Sequence, residues 1–539
     1  MSHITGIETI QLLIPEFVLL ASAAYIYLAG TFVSNRWWWT LFGLAAFGIA
    51  GWSMWRQEAG LVESFLQPGV PAAVGPLLVD WLGEGVRNLG WFSGLILLLA
   101  SHGSARRGLS AEFAGTLMVA TVGLMVVGRA NDLVLLFLGL ELISIPTYIL
   151  LFLSGRGRSG MEAAIKYFFL SLLSSALLLY GFSMLYGLAG TTTLVEPVAG
   201  QGVVSVFSGA PAPLVLFALT LVLAGIGFKL TMFPFHFYAP DVYEGSGWVG
   251  AGFLATVPKI AGVVVLFRLL GYHVPTPSPV VWQLVAVLAV VTMTFGNTCA
   301  LWQTNVRRLL AYSSIAHAGY MLVGLTVALA VGRSLEFGGL AAMFFYGAVY
   351  LPASLATFAG MLAADRGGAR RESIGDLAGL GRERPVLAGL IAVGVFSLAG
   401  IPPLAGFWGK LGLFSSLIGT TMGWLEGAKA APADPWLAAL LVITAINAAI
   451  GAAYYLRLLG GIYFAGRAAH PSERVERAGV FPMAATLLAG WIVILIGLMP
   501  GALLESAGRA EQMLVPAHTA QSPDHSLRSR AEPIDDQAE

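Results

Sequence analysis

Apolar runs long enough to cross a bilayer follow one another through almost the whole of this chain, with only short polar gaps between them. A spanning helix needs about 20 mainly apolar residues, and backbone in hydrocarbon must satisfy its own hydrogen bonds. The chain is therefore expected to be an all-α polytopic membrane protein, not a barrel. Composition agrees: of 539 residues, 57% are hydrophobic and only 11% charged, with a mean hydropathy of +0.79. Runs and breaks predict about fourteen helices, near 10–33, 37–55, 86–102, 111–128, 131–153, 161–187, 212–235, 248–271, 280–303, 306–331, 336–364, 385–418, 436–465 and 479–503. The first run is too long for a signal-peptide core and lacks a basic stretch before it, so it reads as a retained span. From 505 to 539 the chain turns polar and reads as a disordered tail.

Basic residues alternate between the loops. Arg36, Arg106, Arg107, Arg156, Arg158, Arg307, Arg308, Arg366, Arg370, Arg371, Arg382, Arg384, Arg467, Arg474 and Arg477 fall on one side. The other side holds only Arg56, Arg87, Arg129, Arg333 and Lys429. The richer side is expected to be cytoplasmic, which places both termini outside. A single cysteine, Cys299, excludes a disulfide framework and a cysteine-based metal or iron–sulfur site within the chain, so redox chemistry belongs elsewhere. A formal net charge of +0 without charged blocks leaves no case for a nucleic-acid partner.

Lysine usage is the most informative departure from this pattern. Only five of the 29 basic residues are lysine, and three of them sit deep in apolar runs: Lys229, Lys259 and Lys410. Each such charge costs roughly 2.5 to 3.5 kcal/mol at mid-membrane. Arginine does not deprotonate in a protein, whereas a buried lysine is able to bind and release a proton. Breaks in the local backbone accompany all three: Pro234 follows Lys229, Pro258 precedes Lys259, and Gly400, Pro402, Pro403, Gly406 and Gly409 lead up to Lys410. Broken helices at membrane depth occur inside protein or beside water, so broken segments near 229–240 and 400–410 point to a hydrated interior path. The competing reading makes each lysine a structural pair partner or an interfacial, snorkelling side chain. It applies most readily to Lys166, near a helix end.

Glu141 lies ten residues into its own apolar run and five before Pro146. A buried carboxylate needs a partner, and a lysine is the natural one. If Glu141 pairs with Lys229, protonating the acid or moving it away would release the lysine's proton; a static ion pair is the alternative. His317, mid-helix beside Ser313 and Ser314, is either a relay between lysines or a hydrogen-bonded core histidine. His236, beside Pro240, Asp241, Tyr243 and Glu244, reads first as a clamp at a helix end and second as a proton mouth. Glu16 and Arg268 read as packing or interface charges. No metal-ligand spacing, nucleophile elbow or phosphate-cradling glycine motif stands out.

Two stretches repeat one design: an acid or histidine mid-helix (Glu141, His317), then, two helices later, a broken segment bearing a lysine (Lys229, Lys410). Five motifs, LELISIPTYIL, KYFFLSLLSSALLLYGFSMLYGLAGT, FKLTMFPFHFYAPDVYEG, NVRRLLAYSSIAHAGYML and LAGIPPLAGFWGKLGLF, closely resemble the subunit N family of bacterial complex I, the type I NADH-quinone oxidoreductase, over 129–464. The resemblance implies fourteen helices with two inverted five-helix repeats, 111–271 (helices 4–8) and 280–465 (helices 9–13), flanked by helices 1–3 in 1–110 and helix 14 at 479–503. It implies a multi-pass protein of the bacterial inner membrane with no cofactor of its own. NADH, FMN, iron–sulfur clusters and quinone would belong to partner subunits. Expected neighbours are the antiporter-like subunit M and the small subunits on the K/J side, within the lipid bilayer. Glu141, Lys229, Lys259 and Lys410 then match the family's charged residues on its fifth, seventh, eighth and twelfth helices. Lysine at 410 separates this family from sister subunit M, which carries glutamate there, and no long lateral helix follows Leu503 as in subunit L. GSGWVGA after Glu244 departs from the family's proline-containing loop.

The function expected is proton translocation driven by quinone reduction elsewhere in the complex. Protons would come from the cytoplasm near the seventh and eighth helices, cross Lys229, Lys259 and His317, and leave past Lys410, with Lys166 and His236 secondary. The rival is a subunit of a multisubunit cation/proton antiporter sharing the fold. A solute transporter would call for a polar midplane pocket, whereas the buried residues here are titratable.

Overall fold

Several of the apolar runs become helices where an Asn or Asp supplies the first acceptor. Asn35 accepts from Trp37 N, Asp132 from Val134 N and Leu135 N, and Asp434 from Trp436 N at 2.9 Å. The computed structural model describes residues 6–58, 72–103, 108–155, 157–195, 202–203, 206, 212–271, 279–331, 337–365, 372–422, 434–466 and 479–512. In chain order its helices are α1 (Gly6–Leu12), α2 (Ile14–Gly30), α3 (Arg36–Gln57), α4 (Trp81–Ser101), α5 (Ser110–Arg129), α6 (Leu133–Ser154), α7 (Gly157–Ala189), α8 (Ala212–Leu230), α9 (Ala239–Gly245), α10 (Trp248–Gly271), α11 (Pro279–Trp302), α12 (Val306–Val331), α13 (Gly339–Ala364), α14 (Leu380–Glu383), α15 (Pro385–Ala399), α16 (Ala405–Met422), α17 (Pro435–Tyr463), α18 (Val480–Leu498) and α19 (Gly501–Gln512). Ten of them are long and apolar enough to cross a membrane, and α2 and α15 are shorter apolar helices. The only sheet among the described residues is a hairpin of β1 (Ala72–Val74) and β2 (Leu77–Val79), antiparallel with Ala73 opposite Leu78.

Burial sorts the helices into an inner and an outer set. The apolar windows of α10 and α13 are wholly enclosed, whereas only 28% of that of α17 is buried. The outer helices instead expose rows of large apolar side chains, such as Phe169, Leu172, Leu173 and Tyr180 on α7. A face of that kind is stable against lipid. Close approach in the inner set depends on glycine. A Cβ on Gly296 of α11 would sit 2.6 Å from Ala316 N, and one on Gly319 of α12 would sit 2.6 Å from Met293 N. The two helices interlock at these points, which fixes the helix that carries His317.

Charges buried away from the lysines are held in carboxylate–guanidinium pairs. Arg87 bonds Glu16 at 2.7 Å and Glu84 at 3.1 Å, and Arg129 bonds Glu84, all four side chains being essentially inaccessible. Asp80 caps α4 through Gly83 N at 2.8 Å and also holds Arg268 of α10 in a two-point pair. Arg268 further donates to Gly128 O at 2.5 Å. Glu16 and Arg268, read from sequence as packing charges, thus tie α2, α4, α5 and α10 together.

The structure corrects the sequence reading in four places. The run 10–33 is two helices, α1 and α2, with Pro15 opening the second. The helix expected at 212–235 ends at Leu230, and the one expected at 385–418 is split into α15 and α16 by Gly400 to Leu404. Residues 501–512, expected to open a polar tail from 505, form the amphipathic helix α19 instead. Its Glu511 carboxylate is fully buried and accepts from Gly338 N and Ala341 N, both at 2.9 Å, capping α13. The expectations for Arg106, Arg107, Arg156, Arg333, Arg366, Arg370, Arg371, Lys429, Arg467, Arg474, Arg477 and residues 513–539 fall outside the described residues.

Replacing Asp80 by Leu removes both a helix cap and the carboxylate partner of a buried guanidinium, and is expected to destabilise the protein by about 3 to 5 kcal/mol. The double variant Asp80→Leu, Arg268→Met should regain at least half of that. Thermal unfolding of the detergent-purified protein checks both; equal losses in the single and double variants would show that the pair is not the source.

Candidate functional site

Sequence places a lysine at the end of α8 and a carboxylate in the middle of α6, and packing of α7 against both brings them together. Lys229, 3% exposed, directs Nζ to Ser144 Oγ on α6 at 2.6 Å. The Ser144 hydroxyl in turn donates to Leu140 O at 2.8 Å, so its lone pair is what faces the lysine. Glu141, one turn earlier on α6, accepts from Ser175 Oγ of α7 at 2.5 Å. Glu141 and Lys229 are therefore neighbours across one helix face without a direct ion pair, each held by a serine. The close pair considered from sequence is not made here.

At Leu230 the helix stops. Thr231 adopts φ 57, in the left-handed region that a β-branched residue seldom enters, and residues 231–238 form turns before α9 begins. A helix end leaves carbonyls without partners, and the next lysine takes one of them. Lys259, on α10 and fully buried, donates to Leu230 O at 3.0 Å, Thr231 Oγ1 at 2.6 Å and Ser314 O of α12 at 2.7 Å. All three ammonium hydrogens are accounted for by neutral oxygens.

Ser314 opens the path into α12. Its hydroxyl meets Tyr243 OH of α9 at 3.1 Å and accepts from Tyr350 OH of α13 at 3.2 Å. The neighbouring Ser313 hydroxyl bonds Tyr455 OH of α17, which also lies 2.9 Å from His317 Nε2. His317 Nδ1 lies 2.6 Å from Tyr346 OH of α13, so both ring nitrogens have a phenol partner. Beyond the ring, His317 and Lys410 line a common small cavity with Tyr346, Tyr350, Ser397 and Gly406, of a size that admits about one water molecule.

Lys410 repeats the arrangement of Lys259 in the second half of the chain. The chain leaves α15 through Gly400 at φ +85 and re-enters a helix at Ala405, and the freed carbonyl of Ala399 accepts from Lys410 Nζ at 2.7 Å. Only glycine fits at 400: besides its backbone angle, a Cβ there would lie 2.7 Å from Lys410 Cδ. The amine also lies 5.5 Å from the centre of the Tyr320 ring.

The remaining two residues singled out in the sequence stand apart from this line. Lys166 is 42% exposed and pairs with Glu162 at 2.7 Å and Asp241 at 3.3 Å. Arg308 joins the same surface network through Asp241 and Glu244. The His236 ring is buried in the turn after α8, stacked on Phe233, and its Nδ1 has no hydrogen-bond partner. Sequence reasoning missed Ser144, Ser175, Thr231, Tyr346, Tyr350 and Tyr455. Ser144 and Thr231 fall inside the motifs that drew attention to Glu141 and Lys229, and Ser175 inside the one that begins at Lys166, but the tyrosines converge from helices far apart in the chain. Among the described residues no three His, Cys, Asp or Glu side chains cluster as metal ligands.

Residues 130–431 match the family described as NADH:quinone oxidoreductase/Mrp antiporter, TM. The chain is 38% identical over 406 residues to NADH-quinone oxidoreductase subunit N of Heliobacterium modesticaldum, covering 75% of this chain and 78% of that one. It is 35% identical over 523 residues to F(420)H(2) dehydrogenase subunit N of Methanosarcina mazei, covering 94% and 100%. Among solved structures it resembles a chain of respiratory complex I from Thermus thermophilus with bound aureothin, at 31% identity and a TM-score of 0.71, covering 91% of this chain and 98% of that one.

Substituting Gly400 by Ala is expected to cost about 1 to 3 kcal/mol, from the left-handed backbone and the displaced lysine stem. A thermal melt of the purified variant measures it, and an unchanged midpoint would mean that the 400–404 break relaxes freely.

Proposed function

The chain belongs to the NADH:quinone oxidoreductase/Mrp antiporter transmembrane family, and from that premise we propose that it is the proton-translocating membrane subunit of a respiratory NADH:quinone oxidoreductase, with Glu141, Lys229, Lys259, His317 and Lys410 carrying the proton. The observation that carries this reading is a succession of short hydrogen-bonded groups that leads from α6 into the centre of the bundle. Ser175 holds Glu141, and Ser144 holds Lys229; Thr231 and Ser314 O hold Lys259, with Tyr350 on the Ser314 hydroxyl; Ser313, Tyr455 and His317 form a further set, and His317 shares a small cavity with Lys410. Serine, tyrosine and imidazole groups both donate and accept, as a relay requires. Lysine, unlike arginine, is able to give up its proton on such a path.

The driving step lies outside the chain. NADH, flavin, iron–sulfur clusters and quinone belong to partner subunits, with the antiporter-like subunit M and the K/J side as lateral neighbours in a bacterial inner membrane and both termini outside. The likeness to an F(420)H(2) dehydrogenase subunit over nearly the whole chain supports this division, since one membrane design then serves complexes with different electron donors. A conformational signal from the neighbour would reach Glu141, on the partly exposed face of α6. Bringing that carboxylate to Lys229 holds the lysine's proton; returning it to Ser175 leaves the ammonium with only a serine and favours release toward Lys259. His236 and the Asp241, Glu244 and Lys166 network are secondary, at the uptake side.

Membrane vesicles energised with NADH test the reading. Lys229→Ala and Glu141→Gln should each lower proton pumping and quinone-coupled NADH oxidation at least tenfold with the complex still assembled. Lys229→Arg should fail as badly as Lys229→Ala, because it keeps the charge and loses the ability to titrate. Tyr455→Phe, which removes the hydroxyl between Ser313 and His317, should lower pumping less, by about threefold to tenfold. Unchanged pumping in the lysine variants, together with sodium–proton exchange by the purified chain in liposomes, would instead favour a self-sufficient cation/proton exchanger.

A further inference from the structure

On α3, far along the chain from the lysine path, Gly48, Gly51, Trp52 and Trp55 are spaced i, i+3, i+4 and i+7 and so form one stripe along the helix. Two glycines in that stripe leave an open groove of about 200 Å³, with Trp91 of α4 in its wall. Trp91 is fixed in place, its Nε1 donating to Phe47 O at 2.7 Å. Trp52 and Trp55 stand 61% and 62% exposed along the groove. At the end of α3 the groove is lined by Glu58 and Asn88, and Arg56 lies outside its lining, beside Trp52. Glu58 accepts from Asn88 Nδ2 at 3.0 Å, and Arg56 lies over the Trp52 ring at 5.5 Å.

We propose that this groove is a binding site for a phospholipid with a primary-amine headgroup, of the phosphatidylethanolamine class. The match is one of charge order. A zwitterionic headgroup carries an ammonium and a phosphate a few bonds apart, and the helix end offers a carboxylate at 58 and a guanidinium at 56. The ammonium would sit at the Glu58 carboxylate beside the Trp55 ring, whose face attracts cations. The Arg56 guanidinium, 5.5 Å from the centre of the Trp52 ring, would offer its N–H donors to the phosphate. Apolar space at Gly48 and Gly51 then takes one acyl chain. The N–H donors of a primary amine suit a carboxylate acceptor, and a trimethylated ammonium lacks them; that difference selects ethanolamine over choline. Interfacial tryptophans beside charged residues are the usual setting for headgroup contact. This site is independent of the proton path and does not depend on that assignment.

The test uses the assembled complex in proteoliposomes containing phosphatidylethanolamine with a photoreactive acyl chain. Peptides are mapped by mass spectrometry after illumination. Adducts are expected on the segments holding Gly48 to Trp55 and Asn88 to Trp91, with unlabelled phosphatidylethanolamine lowering the yield at least fivefold and phosphatidylcholine leaving it unchanged. Glu58→Gln should lower the yield at least fivefold. Gly48→Leu should abolish it, because that position has no atom within 4 Å and the new side chain fills the groove without disturbing the fold. Equal competition by phosphatidylcholine, or yields indifferent to both variants, would mean a non-selective lipid shell and overturn the proposal. Absence of adducts with cross-links to another protein chain would mean that a subunit covers the groove, and would overturn it equally.

Discussion

Where a helix breaks inside a membrane, the carbonyls it releases have no water to turn to, and this chain answers that constraint twice with a lysine. Leu230 O, at the end of α8, receives Lys259, and Ala399 O, at the end of α15, receives Lys410. The break and the charge justify each other. An unsatisfied carbonyl in hydrocarbon costs several kcal/mol, and so does an unsolvated ammonium. Together they form a hydrogen bond and remove most of both penalties. The enclosed positions of α10 and α13 follow from the same need, since polar backbone of this kind is tolerated only when other helices wrap it.

Arginine and lysine have been divided by task. Arg87, Arg129 and Arg268 are fully buried, and each faces a carboxylate: Glu16 and Glu84 for the first two, Asp80 for the third. Such pairs hold helices in register. Lys229, Lys259 and Lys410 are buried as deeply but bond to serine, threonine and backbone oxygens. A neutral partner stabilises the ammonium less than a carboxylate would, and tolerates its neutral form. The first set acts as fastening, and the second is bonded to no carboxylate that would pin its charge.

Much of this was legible in the sequence, because hydropathy and proline positions are local signals. The helices 248–271 and 306–331 were read to the residue, and the breaks after Lys229 and before Lys410 were marked by Pro234 and by Gly400, Pro402 and Pro403. What escaped is what depends on convergence. Tyr243, Tyr346, Tyr350 and Tyr455 come from three helices, and nothing in the spacing of any one of them says that their hydroxyls meet at Ser313, Ser314 and His317. The C-terminal helix α19 escaped for a different reason. Its average composition is polar, yet Ala507, Gly508, Ala510 and Glu511 make a buried face, so a search by helical period rather than by hydropathy would have found it.

The separation of Glu141 from Lys229 bears on how such a path would be gated. Glu141 and Ser144 are three residues apart on α6, hence on one face of the same turn. Lys229 already reaches that face at Ser144, and Glu141 is held only by the Ser175 hydroxyl. Exchanging the two serines for a direct carboxylate–ammonium contact would call for side-chain rotation and a shift of α6 or α7. In the present arrangement each charge has one serine bond, and in the other the two charges would meet directly. Pro146, five residues beyond Glu141, removes one backbone hydrogen bond from α6 at this level and makes such a shift easier. A movement of that kind is what a switch biased by a neighbouring subunit would use, and a tight, permanently closed ion pair would leave it no second arrangement.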